Sequence, residues 1–171
     1  MEHTTLSHTD ISFQDEYIIK AYDIDMHKNA SPLALLKLMH ETAMQNVMKL
    51  NISVWDLEPL HLSWVLMRQY VHFDRLPKLG KKIQILTYPA GFQKVMTYRD
   101  YKVVDEQGAL IIHSSSTWLL MDTQKRTLTN IPPAILALKK DIPPSETCLP
   151  RANFKLAQVK TPTMSKHYEV G

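Results

Sequence analysis

The stretch from Pro32 to Leu50 constrains the fold more than any other part of this sequence. Ser31 precedes it, and a serine N-cap followed by proline at the first helical position favours a helix start. No helix-breaking residue intervenes before Asn51, which suits a left-handed helix stop. We therefore predict one long helix. Its apolar face is so wide that we expect other elements to cover most of its sides. The apolar residues at helical spacing are Leu36, Met39, Ala43, Val47 and Leu50. Five further apolar residues widen this face: Leu33, Leu35, Leu38, Met44 and Met48.

Five other segments have the residue pattern of β-strands. Residues 12–22 alternate between two faces, as a half-buried strand does. Four strand-like runs follow the helix: Leu62–Phe73, Lys82–Tyr88, Val95–Val104 and Ala109–Met121. The breaks between these runs, at residues 76–80, 89–91 and 105–108, are short and contain turn residues. Short connections favour antiparallel neighbours.

The order of these elements predicts the fold class. A strand, a long helix and four antiparallel strands indicate an α+β protein in which a strongly curved antiparallel sheet wraps around one long central helix. This arrangement, the hot-dog fold, would bury nearly the whole helix surface. An open α+β sandwich, with the helix on one face of the sheet, is the alternative.

Composition and missing motifs exclude several classes of protein. The net charge is +3, the lysines are scattered and the sequence has no arginine-rich run. The charge pattern therefore does not predict nucleic-acid binding. No apolar run approaches the ~18 residues that a membrane span needs, so we expect a cytoplasmic protein. One cysteine, Cys148, permits no internal disulfide. Gly-rich phosphate loops, Gly-x-Ser-x-Gly and His-Glu-x-x-His are absent from the sequence, which predicts no cofactor and no metal site.

A set of short stretches, in a fixed order, gives the sequence a family resemblance. They are Tyr22–Asp25, Ser31 with Leu35–Ala43, Leu62–Arg68, Leu79–Tyr88, Tyr98–Tyr101, Val104–Gly108, Ser114–Trp118, Met121-Asp122, Lys125-Arg126 and Ile131-Pro132. Together, over about residues 15–135, they resemble the first repeat of the acyl-acyl-carrier-protein thioesterases. Members of that family have two hot-dog repeats in tandem and keep their catalytic residues mostly in the second.

The resemblance implies a function and partners. It implies hydrolysis of the thioester between a fatty acyl chain and acyl carrier protein, which releases free fatty acid. Acyl carrier protein and a fatty acyl thioester are then the expected partners.

The resemblance also implies a domain organisation. We expect a flexible N-terminus over residues 1–11 and a first hot-dog domain over 12–135. Residues 136–171 would form a proline-rich linker and the first strand of a second repeat. The catalytic stretch of that repeat is not found in the sequence, so we expect the family's catalytic set to lie beyond Gly171, the last residue.

Thioester hydrolysis needs an activated water, a group that polarises the carbonyl, and a dry slot for the acyl chain. Asp25 lies just before the predicted helix, with His27 and Asn29 beside it. A carboxylate there can act as general base, and free N–H groups at the helix start can hold a developing oxyanion. The alternative is that all three are structural turn residues.

Apolar residues suit the acyl slot. We predict that Met39, Met44, Trp64 and Met67 contact the acyl chain, because methionine adapts to irregular contents and tryptophan can form a wall. The alternative is that they simply fill the core around the helix.

Three functions remain open at this point. The first is a thioester hydrolase in which this chain supplies the acyl-binding half. The second is a non-catalytic acyl-binding or dimerisation module. The third is another hot-dog enzyme such as a dehydratase, although the sequence does not clearly supply the histidine and carboxylate that it needs. A single hot-dog sheet leaves an edge and a face uncovered, so we also expect a homo-oligomer.

Overall fold

The computed structural model describes residues 11–151 of the 171-residue chain. Apart from Ile11, the N-terminal segment that was predicted to be flexible lies outside the described residues. The strand predicted to follow the proline-rich linker, up to Gly171, also lies outside them. The domain bounds therefore stay a prediction, and so does a catalytic set beyond Gly171.

The described residues form one long helix, two short helices and six strands. The strands are β1 (Phe13–Ile18), β2 (Leu62–Phe73), β3 (Lys82–Gln93), β4 (Met96–Asp105), β5 (Leu110–Asp122) and β6 (Thr127–Leu128). The helices are α1 (Pro32–Lys49), α2 (Val54–Leu57) and α3 (Pro133–Leu136), with short 3-10 turns at residues 21–23, 58–60, 137–141 and 145–147. No helix among these residues is long and apolar enough to cross a membrane.

The start and the end of α1 confirm the sequence signals. Ser31 accepts a hydrogen bond at its side-chain oxygen from the backbone N–H of Ala34, at 3.2 Å, and Pro32 occupies the first turn. The helix ends at Lys49, and Asn51 follows in the left-handed region with φ of 56°. The cap and the stop thus fix the position of α1 along the chain.

All strand pairs in the sheet are antiparallel within the described residues, in the order β1-β3-β4-β5-β2, with the short β6 beside β5. The α+β class and the hot-dog arrangement are confirmed. One expected neighbour is wrong, because β2 pairs with β5 and not with β3. The reason is that the connection between β2 and β3 passes along the loop before α1, where Ala30 N donates to Pro77 O at 2.8 Å and Leu79 N to Lys28 O at 3.0 Å.

The predicted break at residues 89–91 is also wrong. These residues lie inside β3, where the register against β4 shifts between Pro89 and Gly91. A proline is tolerated in a strand at such a bulge. Gly91 has φ of 156°, and a Cβ there would lie 3.1 Å from the ring of Tyr98. The bulge bends β3 without ending it, and the chain turns later, at Lys94.

The sheet covers only one face of α1. Leu35, Met39 and Ala43 lie in the main core, together with Ile83, Ile85, Tyr101 and Val103 from the sheet. On the other face of the helix, Leu33 is 62% exposed and Met48 is 42% exposed. The expectation that α1 is covered on most sides is wrong for the described residues, since a single sheet reaches only the side that it packs against.

A second cluster closes the end of the sheet beyond the C-terminus of α1. Its buried members are Ile52, Leu57, Phe92, Leu120, Ile131 and Ile135. The chain then crosses the face of the sheet opposite α1, where the hydroxyl of Tyr88 donates to Thr147 O at 3.2 Å and Arg151 forms an ion pair with Asp100. The proline-rich segment is therefore attached to the sheet as far as Arg151.

Candidate functional site

A cavity of about 180 Å³ lies between α1 and the sheet. This is of the order of the ~150 Å³ protein cavity that takes up benzene, so it has room for a segment of an alkyl chain. Six elements, α1, α2, β2, β3, β4 and β5, and the loop after α1 supply its walls, which are predominantly apolar. The lining residues are His40, Ala43, Met44, Val47, Ile52, Val54, Ser63, Trp64, Pro89, Phe92, Thr97, Tyr98, Arg99 and Trp118.

The structure brings two of the four predicted acyl contacts together at this cavity. Met44 from α1 and Trp64 from β2 both line it. The indole N–H of Trp64 donates to Ile52 O at 2.9 Å, which fixes the orientation of the ring. Met39 is instead fully buried in the main core, and Met67 is 52% exposed at a register irregularity of β2. An acyl-binding role for these four residues stays a prediction.

A hydrogen-bonded pair of side chains orients one wall of the cavity. The indole N–H of Trp118 donates to the hydroxyl of Ser116 at 2.9 Å, and that hydroxyl donates to Arg99 O at 3.2 Å. His40 stacks on Trp118 with ring centroids 6.3 Å apart. The hydrogen bond to Ser116 and the stacking with His40 thus fix the position of the Trp118 ring in the cavity wall.

Arg99 is the charged group in this lining, and sequence reasoning missed it. It is 7% exposed, and its Nη1 donates to Asn46 Oδ1 at 2.7 Å and to Thr87 Oγ1 at 3.1 Å. Burial lowers the pKa of the Arg99 guanidinium. A signal was available, because Arg99 shares the inward face of β4 with Tyr101 and Val103, where a charged residue is unusual.

The three catalytic candidates occupy a different place. Asp25 accepts hydrogen bonds at Oδ1 from the backbone N–H groups of His27 at 2.8 Å and Asn29 at 3.0 Å. These bonds shape the loop before α1, and the His27 side chain is exposed. On α1 the cavity lining begins at His40, about 12 Å along the helix from Pro32 at 1.5 Å per residue. The catalytic role of the three stays a prediction, and the geometry supports the turn interpretation that the sequence left open.

Two other kinds of site can be assessed within residues 11–151. No group of three or more His, Cys, Asp or Glu side chains among them is arranged to hold a metal ion. Cys148 lies against the outer face of the sheet near Ala90, and burial raises the pKa of its thiol. A thiolate nucleophile is therefore disfavoured there.

Comparison with known proteins identifies relatives of this chain. A chloroplastic acyl-[acyl-carrier-protein] hydrolase from Cuphea viscosissima is 25% identical over 129 residues, which are 71% of this chain and 31% of that protein. The chloroplastic oleoyl-acyl carrier protein thioesterase 2 from Arabidopsis thaliana is 24% identical over 127 residues, 70% of this chain and 35% of that protein. The chain thus spans about a third of the length of the curated relatives that it matches.

Solved structures share the fold. An acyl-ACP thioesterase from Bacteroides thetaiotaomicron superposes with a TM-score of 0.76 at 17% identity, covering 87% of this chain and 60% of that one. The 12:0-ACP thioesterase from Umbellularia californica gives a TM-score of 0.71 at 18% identity, covering 88% of this chain and 63% of that one. At these identities the likeness supports the hot-dog fold alone.

The family is shown by a sequence model. The model of the acyl-ACP thioesterase N-terminal domain matches residues 10–138, which include α1, the six strands and every residue that lines the cavity. The match covers well over half of the chain and confirms the resemblance inferred from its sequence. This chain therefore belongs to the acyl-ACP thioesterase family, as the family's N-terminal domain.

Proposed function

We propose that this chain supplies the acyl-binding half of an enzyme that hydrolyses the thioester of fatty acyl-acyl carrier protein and releases free fatty acid. The observation that carries the proposal is the apolar cavity between α1 and the sheet, in a chain of this family. The named relatives are acyl-carrier-protein hydrolases and thioesterases, but this chain matches only about a third of each.

The walls of the cavity suit an alkyl chain. Met44, Trp64 and Trp118 present flexible and flat apolar surfaces to it. Each methylene group that moves from water into such a site contributes about 0.8 kcal/mol. A few methylenes therefore supply enough free energy to hold an acyl chain while its thioester remains outside the cavity.

The groups that carry out the hydrolysis are a separate question. Asp25 is a candidate general base, with His27 and Asn29 as candidate polar partners near the start of α1. The hydrogen bonds that Asp25 accepts from the backbone of the other two favour a structural role in this chain. We therefore assign acyl binding to this domain and most of the catalytic set to a second repeat, beyond Gly171.

Partners and location are also proposals. Acyl carrier protein is the proposed carrier of the substrate, and the chain is proposed to form a homo-oligomer. The two curated relatives above are named as chloroplastic proteins. For this chain we propose the cytoplasm.

A non-catalytic acyl-binding or dimerisation module is the second candidate function. The exposed apolar residues of the sheet edge favour it. Val65, Leu66 and Met67 on β2 are 36%, 44% and 52% exposed. A row of apolar side chains on an edge strand is a surface that pairs readily with another chain.

The proposal is tested by comparing the affinity of the chain for acyl carrier protein with and without an attached acyl group. Binding of the chain to a non-hydrolysable acyl-acyl carrier protein, with the acyl group attached as an amide, is measured beside binding to the carrier without an acyl group. We expect clearly tighter binding of the acylated form. Equal affinity for the two forms would contradict acyl binding. Release of free thiol from the hydrolysable substrate then separates the hydrolase from the non-catalytic module.

A further inference from the structure

Arg99 is a buried cation without an ion pair among residues 11–151. Its two hydrogen-bond acceptors, Asn46 Oδ1 and Thr87 Oγ1, are both neutral. The carboxylate next to it in sequence belongs to Asp100, which points to the opposite face of β4 and pairs there with Arg151. Among residues 11–151, therefore, no carboxylate forms an ion pair with Arg99 on the inner face of the sheet.

Such a charge is unfavourable to bury. A guanidinium that leaves water loses its hydration, and only an anion or a full set of acceptors replaces it. Both side-chain hydrogen bonds of Arg99 within the described residues leave from Nη1. The other N–H groups of the guanidinium form no side-chain hydrogen bond among these residues, and Arg99 is part of the cavity lining.

The rest of the cavity lining favours a ligand whose other end is a hydrocarbon chain. Its lining is apolar over most of its area, with Met44, Phe92 and Trp118 among the contributors. A ligand that matches both the guanidinium and the apolar lining has an anionic hydrogen-bond acceptor at one end and a hydrocarbon chain attached to it. A guanidinium matches a carboxylate in charge and in geometry, because its parallel N–H groups face the two oxygens.

We propose that the cavity binds a free alkyl carboxylic acid, with its carboxylate on Arg99 and its chain along α1. This binding rests on the cavity accepting an alkyl chain, as the proposed function does, but it does not require hydrolysis by this chain. A fatty acid bound in this way, with its carboxylate inside the cavity, would compete with the acyl group of the substrate for the same space.

The test uses the full chain with octanoate and 1-octanol as matched probes. Trp64 and Trp118 line the cavity, so their fluorescence reports occupancy. Hydrogen bonds to a charged group favour octanoate over octanol by about 10- to 100-fold in affinity at pH 7. Arg99→Met should remove this preference, so that octanoate no longer binds more tightly than octanol. Lys102→Met is the control, since it removes a cation from the outer face of the same strand and should leave the preference intact.

A measurement on the unmodified chain covers the case in which Arg99→Met fails to fold. The Nε–Hε resonance of Arg99, observed by NMR in labelled protein, should shift on addition of octanoate and stay in place with octanol. Equal affinities for the two probes, or an Arg99 resonance that octanoate leaves unmoved, would overturn the proposal. Binding of octanol alone would overturn it while leaving the acyl cavity of the proposed function intact; binding of neither probe would contradict both.

Discussion

Asn46 and Arg99 join the helix to the middle of the sheet through a 2.7 Å hydrogen bond between Oδ1 and Nη1. Asn46 is fully buried, and its Nδ2 donates to Ile11 O at 3.1 Å. One amide thus links α1, β4 and the segment before β1. This connection supports both the fold and the position of the charged group in the cavity.

Replacing Asn46 by alanine should destabilise the chain. The change removes an acceptor from a buried guanidinium, and hydrogen bonds to charged groups contribute about 1.5–3 kcal/mol each. Urea denaturation measures the free energy of unfolding. Gln45→Ala is the control, because Gln45 bonds to Glu41 on the exposed side, and we expect a change within about 0.5 kcal/mol. An equal loss in both variants would refute the role given to Asn46.

The ion pair between Asp100 and Arg151 should make stability depend on pH. Burial raises the pKa of Asp100, and Arg151 partly offsets this effect. A carboxyl whose pKa is raised in the folded state favours folding at low pH, and this contribution is lost as pH rises through the folded-state pKa. Arg151→Ala should therefore cost about 3 kcal/mol at pH 7, where a buried charge is left unpaired, and less near pH 4.

Urea denaturation at the two pH values measures this difference. Lys140→Ala, which removes an exposed cation from the same segment, serves as the control and should have the same small effect at both values. A loss in Arg151→Ala that does not grow with pH would show that Asp100 stays protonated in the fold.

Much of the fold was readable from the sequence because local signals agreed. The Ser31-Pro32 pair located the start of α1, and the run Leu62–Phe73 gave the bounds of β2. The bulge at Pro89 was not readable, because proline and glycine in sequence indicate a turn and only pairing with β4 keeps the strand continuous. The partner of β2 was missed for a related reason, since pairing with β5 is a long-range choice.

The site was predicted in part. Met44 and Trp64 were selected for their apolar side chains, and both line the cavity. Met39 and Met67 have the same kind of side chain, but Met39 lies in the core and Met67 on an exposed edge. Residue type alone does not tell which apolar residues line a cavity. Arg99 was missed because an arginine in a strand usually faces solvent, although its alternation with Tyr101 and Val103 places it on the inward face of β4.

Substitution of Asp25 should leave the chemistry of this chain unchanged. In Asp25→Asn the side-chain oxygen that accepts from His27 N and Asn29 N is kept, so the loop should retain its shape. Removal of a general base would lower the rate of thiol release by about 10²–10⁴-fold. We expect no such loss in any turnover that the chain shows with acyl-acyl carrier protein. A drop of that size would assign the base to Asp25 after all.

The chain should self-associate. Leu66 and Met67 on the β2 edge and Leu33 on the outer face of α1 are exposed in the described part of the chain. Light scattering at rising concentration should give masses above the 19.8 kDa of one chain. Leu66→Glu should lower the association and Tyr22→Glu, on an exposed turn distant in sequence, should not. A clean monomer at high concentration would count against this prediction.

The central claim is that the cavity between α1 and the sheet holds the acyl chain. Its most direct measurement is the affinity for non-hydrolysable acyl-acyl carrier protein in two variants of the same helix. Met44→Trp places an indole in the cavity, while Met48→Trp adds the same group one turn later at a position that is 42% exposed. We predict that Met44→Trp weakens binding of the acylated carrier at least tenfold, about the contribution of two buried methylenes, and that Met48→Trp leaves it unchanged. Equal affinity in both variants and in the unmodified chain would contradict the claim.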